Sequence, residues 1–518
     1  MSKPIFSVKR LLAALLLLLA ALLALALAAY RPLPAHELPA SAPIGRGDDT
    51  ALGRALAAPL ALHVGLSGIY PLQDGRDAFA ARAALADAAE RSIDAQYYIW
   101  RDDVSGRLLF HALRRAAERG VRVRLLLDDN NTGGLDALLL ALDGHPLIEV
   151  RVFNPLMHRD ARLLNYLSDF SRVNRRMHNK SFTVDGQITV VGGRNVGDEY
   201  FGAGEGVMFV DLDVAAAGPV VDEVSADFER YWTSGSTYPL RRVTTAAADD
   251  PQAIAPTDGG RSREYLRAVA QSTLVGQLRG GTLPMQWSAA RLVSDDPIKG
   301  LGEATPAQTL LGRLDQVLTG AARELTIVSP YFVPGRAGTE LLVALAQRGV
   351  AVSVLTNALS ATDVAAVHAG YARYRETLLR GGVKLYELKP SATVGAHPKG
   401  DGTSGRSGSS GASLHAKTFE VDHRQLFVGS FNMDPRSAAL NTEMGLLIDS
   451  PTLARGLPRA LAEHGGASTY AVTLEPDGLR WTTLRDGATV TFDQEPEAPW
   501  WRRLGVRVLS WLPIEWLL

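Results

Sequence analysis

His178, Lys180 and Asp185 stand at the spacing HxKxxxxD, and Gly192-Gly193-Arg194-Asn195 follows them. Far downstream His415, Lys417 and Asp422 repeat that spacing, ahead of Gly429-Ser430-Phe431-Asn432. A neutral imidazole is a nucleophile or a base, an imidazolium is an acid, and a lysine ammonium binds phosphate oxygens as a point charge. One copy supplies a single histidine. Two copies facing each other supply a pair, so that one ring can attack phosphorus while the other protonates the departing oxygen. Lys180, Lys417, Asn195 and Asn432 would then surround the non-bridging oxygens, where negative charge grows in the transition state. In-line displacement at phosphorus needs groups on opposite sides, and a doubled motif offers them. That chemistry calls for no metal and no cofactor. Arginine far outnumbers lysine along the chain, yet both motif positions keep lysine, which argues against coincidence.

Such side chains need strands beneath them. Residues two apart on a strand share a face, so His178 points with Lys180 and His415 with Lys417. Asp185-Gly186 falls where a tight turn sends the chain back through the apolar run that ends at Gly192. Upstream, the Ile, Tyr and Trp content of residues 91–100 predicts a strand, the spacing in 106–120 a helix stopped by Gly120, and the run from Val121 a second strand. Residues 321–334, 340–349 and the run from Val350 repeat this unit, with Arg348-Gly349-Val350 echoing Arg119-Gly120-Val121. A strand-helix-strand unit implies a parallel pair, and its recurrence ahead of each motif implies duplication of one α/β lobe. The expected division is a membrane anchor or signal peptide in 1–35, a first lobe in 55–240, a linker or insertion in 241–285, a second lobe in 286–470 and a C-terminal segment in 471–518. The Gly- and Ser-rich stretch 394–413 reads as a loop at the rim of the site or a plain insertion. His368 and Tyr371 share a helix face that could approach the site or pack in a core.

Basic and acidic residues nearly cancel, with a formal charge of -1, so no global field marks a nucleic-acid binder and no nucleic-acid partner is expected. The absence of cysteine excludes disulfides, thiolate metal sites and a cysteine nucleophile. Lys3, Lys9 and Arg10 precede an uncharged run from Leu11 to Tyr30, long enough to cross a bilayer and oriented to export the body of the chain. We read it as an uncleaved inner-membrane anchor with a periplasmic body; the small-x-small trio Ala26-Leu27-Ala28 leaves cleavage as the alternative. Near the C-terminus Trp501, Leu504, Val508, Trp511 and Leu512 form one helical face and Arg502, Arg503 and Arg507 another. That pattern suits a bilayer surface or a helix docked on the protein's own core.

The paired motifs resemble the signature of the phospholipase D superfamily, over roughly residues 60–470. The stretches "SIDAQYYIWRDDVSGRLL", "NRRMHNKSFTVDG", "GGRNVGDEYF" and "SPYFVPG" look, more narrowly, like bacterial cardiolipin synthases of the C type. The resemblance implies an α/β fold of duplicated phospholipase D-like lobes, each a mixed sheet flanked by helices, packed with pseudo-two-fold symmetry. It implies a two-step reaction through a phosphohistidine, with phospholipid substrates taken at a membrane surface. His178 is assigned as nucleophile and His415 as acid and then base, the reverse order being the alternative. An acidic residue beyond each motif orients the imidazole across the interface in this family, and we pair Asp213 with His415 and Glu443 with His178. Asp185 and Asp422 complete the signature, at turn positions that point to structural work. Arg176, Arg194 and Ser430 are the candidate substrate-binding side chains; Arg172, Arg175 and Arg176 would attract an anionic headgroup or form a solvated loop. The product expected is cardiolipin, from phosphatidylglycerol, phosphatidylethanolamine or both. Phospholipid hydrolysis and, less favoured, nuclease action are the alternatives.

Overall fold

The computed structural model describes residues 5–35, 38, 41–202, 208–254, 259–390 and 412–518. The first lobe supplies strands β1 (Ser67–Leu72), β2 (Ser92–Tyr97), β3 (Arg122–Asp128), β4 (Ile148–Phe153), β5 (Ser181–Val184), β6 (Ile188–Gly192), β7 (Met208–Val210), β8 (Asp213–Ala217) and β9 (Thr237–Pro239). Strand β10 (Gln286–Ser294) opens the second lobe. It continues with β11 (Glu324–Val328), β12 (Ala351–Asn357), β13 (Lys384–Leu388), β14 (Ala412–Leu414), β15 (Lys417–Val421), β16 (Gln425–Gly429), β17 (Met444–Asp449), β18 (Thr469–Glu475), β19 (Gly478–Arg485) and β20 (Ala488–Phe492).

Pairing makes the duplication explicit. In the first lobe β4, β3 and β2 run parallel, β5 lies antiparallel to β2, and β6, β8 and β1 complete the sheet. In the second, β13, β12 and β11 run parallel, β15 lies antiparallel to β11, and β16, β17 and β10 take the same places. Strand β3 is buried along nearly its whole length, while β12 alternates buried with partly exposed positions. The helix Val104–Glu118 starts on the Asp103 side chain, which accepts from Gly106 N, and is followed by Gly120 at φ +100°. Its counterpart Gly335–Gln347 is followed by Gly349 at φ +91°. Both turns need the left-handed conformation that glycine adopts without a Cβ penalty.

The two sheets meet through β10, whose first residues pair with β1 and whose remainder pairs with β17. Behind that seam Ile69, Val191 and Val214 pack against Leu426, Val428 and Leu446, all buried. Each such side chain contributes about 1.5–3 kcal/mol on burial, so the interface is a core in its own right.

Two sequence expectations change. Residues 241–285 are not a plain linker: helices Gly260–Gln271 and Thr273–Arg279 pack on the first-lobe helix Gly75–Ala88, burying Tyr265, Leu274 and Leu278 at helical spacing. The second lobe runs past the expected boundary at 470, since β18 pairs with β13 and extends the second sheet through β19 and β20. The possible rim loop lies almost wholly outside the described residues, which resume at Ala412. His368 settles as a core residue, its Nε2 2.8 Å from Glu495 Oε1, beside buried Tyr371.

An N-terminal helix, Ile5–Ala29, includes a 20-residue stretch of mean hydropathy 3.0 with none of it buried. Its end is tied down, with His158 Nε2 2.5 Å from Ala29 O and the helix Leu163–Ser168 packed against it. At the other terminus the helix Trp500–Leu509 docks through Val506 and Leu509 on Leu359 and Ala369, and turns Trp500, Trp501, Leu504 and Val508 outward.

Asp185 and Asp422 occupy the hairpin turns at the opposite end of β5 and β15 from the lysines, with φ of +54° and +56°. The Asp185 carboxylate accepts from the backbone N–H of Glu90 (3.0 Å), Arg91 (2.8 Å) and Ser92 (2.9 Å). Asp422 does the same for Ala322, Arg323 and Glu324. Both clamp the start of a parallel strand and stand away from the reacting groups. Asp185→Asn, which turns one acceptor into a donor facing those N–H groups, is expected to cost roughly 2 kcal/mol of stability. Thermal melting will show a lowered midpoint, with turnover per folded molecule retained.

Candidate active site

Each histidine enters the site at the start of its hairpin, and the opposite lobe holds its backbone there. His178 N donates to Thr442 O at 2.9 Å, and Thr442 N returns a bond to Arg176 O at 2.9 Å. In the mirror position His415 N and Ala416 N both donate to Val210 O, at 2.8 and 3.0 Å, continuing the parallel pairing of β7 with β14. The residue after each of these carbonyls is an acid. Glu443 Oε2 lies 2.8 Å from His178 Nδ1, and Asp211 Oδ2 lies 2.5 Å from His415 Nδ1. In both rings Nδ1 is engaged, which leaves Nε2 free to react.

The acid facing His415 is therefore Asp211, not the expected Asp213. Asp213 begins β8 inside its own lobe, where Arg82 donates to its carboxylate at 2.8 Å and Arg194 N at 3.1 Å. Strand register would have made the distinction. Gly192 pairs with Asp213 and Gly429 with Gly445, so the counterpart of Glu443, two residues before Gly445, is Asp211.

The neighbouring backbone is pinned as firmly. Asp128 accepts from Met177 N at 2.7 Å, ahead of His178, and Asp295 accepts from Glu443 N at 2.8 Å while pairing with Lys299 at 2.9 Å. Ser430 Oγ donates to Glu443 Oε2 and accepts from Met444 N at 3.0 Å, so it positions the carboxylate and is not a substrate ligand. Arg176 and Arg194, expected to bind substrate, are buried and spent on the fold. Arg176 donates to Asn154 O and Arg175 O, and Arg194 to Leu72 O, Gln73 O and Asp211 O. Arg176 Nη1 and Arg194 Nε have no hydrogen-bond partner, but neither guanidinium reaches the surface.

Asn195 is likewise committed: its Oδ1 accepts from Ile99 N at 3.1 Å and its Nδ2 donates to Tyr200 OH at 3.0 Å. In place of a phosphate contact it fixes Tyr200, whose ring lies 5.1 Å from the His415 ring. Asn432 differs, since its Oδ1 is buried without a hydrogen-bond partner. The Tyr98 ring stands edge-on to His178 at 4.9 Å, with Lys180 Nζ 5.6 Å from its centroid. Tyr98, Tyr200 and Asp211 carry no motif spacing, and nothing in the sequence pattern alone singled them out.

Burial and mutual repulsion set the charges. His178 is pushed well below the ordinary histidine value by burial, then by Lys180, Lys417 and His415. His415 falls to about 4 by burial and Lys417, against the pull of Asp211. Both rings are thus neutral at pH 7 before a substrate anion arrives. Burial lowers Lys417 to about 8 and depresses Lys180 as well. The two acids diverge. Burial raises Glu443 to about 7, with Lys180 opposing. At Asp211 burial is overcome by His415, Lys417 and Arg194, which hold it below the usual carboxylate range. The site is a buried cluster of charges with one firmly ionised acid and one that shares its proton.

A family model described as "Cardiolipin synthase, PLD-like domain" matches residues 83–232 and 314–464, one segment per lobe. The chain is 50% identical over 464 residues to cardiolipin synthase C of Escherichia coli (strain K12), covering 88% of this chain and 97% of that one. It is 27% identical over 379 residues to cardiolipin synthase A of Pseudomonas entomophila (strain L48), covering 73% of this chain and 64% of that one. Among solved structures, the phosphatidylserine synthase of Haemophilus influenzae Rd KW20 shares the fold, with a TM-score of 0.57 at 14% identity over 90% of this chain and 100% of that one.

The exchange of Asp211 for Asp213 has a direct test. Asp211→Asn leaves His415 without its anionic partner and should lower kcat on the order of 10³-fold with little change in melting midpoint. Asp213→Asn strands Arg82 in the core and should cost about 3 kcal/mol or more of stability; paired kinetics and melting curves separate the two. The lysines predict the alkaline side of the pH profile. Lys417 sheds its proton as pH rises past about 8, so kcat/KM falls there, and Lys417→Arg should carry the remaining activity to higher pH.

Proposed function

The chain belongs to the phospholipase D-like cardiolipin synthase family, and from that premise we propose how its two lobes divide the work of moving a phosphatidyl group between phospholipids. It is a phosphatidyltransferase of the phospholipase D type, and its product is cardiolipin. The observation that carries the reading is the pair of cross-lobe bonds from Glu443 to His178 and from Asp211 to His415. They leave two imidazole Nε2 atoms free in one chamber that also contains both lysines.

The contrast between the acids supports the order of the histidines. His415 faces an ionised carboxylate, which favours the imidazolium, so it suits the general acid. His178 faces an acid near 7 and stays neutral, as a nucleophile must. In the first step His178 Nε2 attacks the donor phosphorus, and His415 gives its proton to the leaving glycerol or ethanolamine oxygen. The substrate's own negative charge raises His415 enough to bring that proton in. In the second step His415 takes the proton of the acceptor phosphatidylglycerol hydroxyl, whose oxygen displaces His178 and completes cardiolipin. Lys180 and Lys417 offset the charge on the non-bridging oxygens.

The apolar N-terminal helix and the family make this an inner-membrane protein. The basic residues ahead of the span support a body on the periplasmic side. The outward Trp500, Trp501 and Leu504, with Arg503 and Arg507 on the same helix, support a second contact with the bilayer surface.

Purified protein given phosphatidylglycerol alone, or with phosphatidylethanolamine, should yield cardiolipin by mass spectrometry. His178→Ala and His415→Ala should each lose at least about 10³-fold. Phosphatidic acid as the sole product would overturn transfer in favour of hydrolysis. A phosphatidyl adduct mapped to His178 in the His415→Ala protein supports the stated order, and one on His415 in His178→Ala reverses it.

A further inference from the structure

Away from the active site, Glu324 at the start of β11, Glu420 on β15 and His423 in the β15–β16 turn converge, one ligand atom of each lying within 4.8 Å of the others. His423 Nε2 is 3.1 Å from Glu324 Oε2, and His423 Nδ1 is 3.7 Å from Glu420 Oε1. The outward oxygens are already engaged: Thr326 Oγ1 donates to Glu324 Oε1 at 3.0 Å, and His423 N to Glu420 Oε2 at 2.9 Å. Two atoms of the cluster are without a hydrogen-bond partner. Glu420 is fully buried, and its Oε1 has no hydrogen-bond partner; His423 Nδ1 has none either. His423 holds this position at φ +56°, a conformation costly to a residue with a Cβ.

The first lobe shows what is missing. There Asp94 lies across from Arg124 on one side and Thr183 on the other; in the second lobe the same register places Thr326 across from Ser353 and Glu420. Arg124 sits between two carboxylates, 2.6 Å from Asp94 and 2.6 Å from Glu229, and neutralises that face. Ser353 can do nothing of the kind. Among the described residues no lysine or arginine pairs with Glu324 or Glu420, whose one ionic partner is His423. Two carboxylates closed around an imidazole without a fixed cation call for one from solution.

We propose that Glu324, Glu420 and His423 bind a divalent transition-metal ion, with zinc the best match, where the first lobe uses the Arg124 guanidinium. One imidazole nitrogen and two carboxylate oxygens make a three-ligand set that zinc completes with water. Glu324 and His423 are partly exposed, at 22% and 40%, so an ion can enter. The Thr326 hydroxyl supplies the outer bond that holds a ligating carboxylate in place. The ion would tie β11 to the turn of the hairpin whose other end carries Lys417, so its role is structural.

The test is calorimetric titration of zinc into the metal-stripped full-length protein in detergent. His423→Asn, which tolerates the left-handed turn, and Glu420→Gln, which keeps the shape, are the comparisons. Wild type should bind one more equivalent of zinc than either variant, or the same equivalent at least about tenfold more tightly. Its melting midpoint should rise with zinc while theirs does not. Identical isotherms in all three proteins would overturn the proposal. So would zinc binding that survives His423→Asn and disappears in His178→Ala, since the ion would then belong to the reactive histidines.

Discussion

The two motif histidines hang on a contact neither lobe can make alone: an imidazole from one half held by a carboxylate and a backbone carbonyl from the other. Thr442 and Glu443 do this for His178, Val210 and Asp211 for His415. Adjacent residues serve the two purposes, so locking the chain across the interface and orienting the ring are one act. The hydrophobic seam of Ile69, Val191, Val214 and their partners supplies the energy that keeps this geometry closed. The orienting bonds need contribute little stability of their own.

Those contacts come with buried charge. Two lysines, two histidines and two acids share a chamber from which water is largely excluded, and their proton affinities move accordingly. Depressed lysines mark groups held in charged form against their preference, which is favourable once a phosphodiester brings negative charge among them. The duplicated scaffold is also no longer chemically symmetric. Asp211, beside His415, Lys417 and Arg194, remains ionised, whereas burial outweighs Lys180 at Glu443 and raises it to about 7. In the proposed mechanism that difference gives the two rings different duties.

The fold was legible because repetition multiplies weak signals. Strand, helix and strand ahead of His178 could be doubted, but the same elements ahead of His415 could not reasonably be chance. The paired motifs, from which the candidate reactive residues are read, were legible for the same reason. What escaped was anything defined by contact across the interface. Asp213 and Asp211 differ by two positions and carry the same charge, and only pairing with Gly192 tells which one remains inside its lobe. Arg176 and Arg194 look like phosphate ligands in a string of letters, yet both are buried and hydrogen-bonded to backbone carbonyl oxygens. Residues 241–285 looked like a linker because the apolar spacing of Tyr265, Leu274 and Leu278 is diluted among Gly, Ser and charged residues.

The junction between the N-terminal helix and the first lobe has a mechanical meaning. Ala29 meets His158 directly, and the helix Leu163–Ser168 packs on the apolar helix, so little slack separates that helix from the first lobe. With that helix anchored in a bilayer as proposed, the reacting centre would stand at a set height above the hydrocarbon. Such a tether acts as a ruler: phosphates anchored at that level sweep past in two dimensions, whereas dissolved diesters must find the opening from bulk solvent.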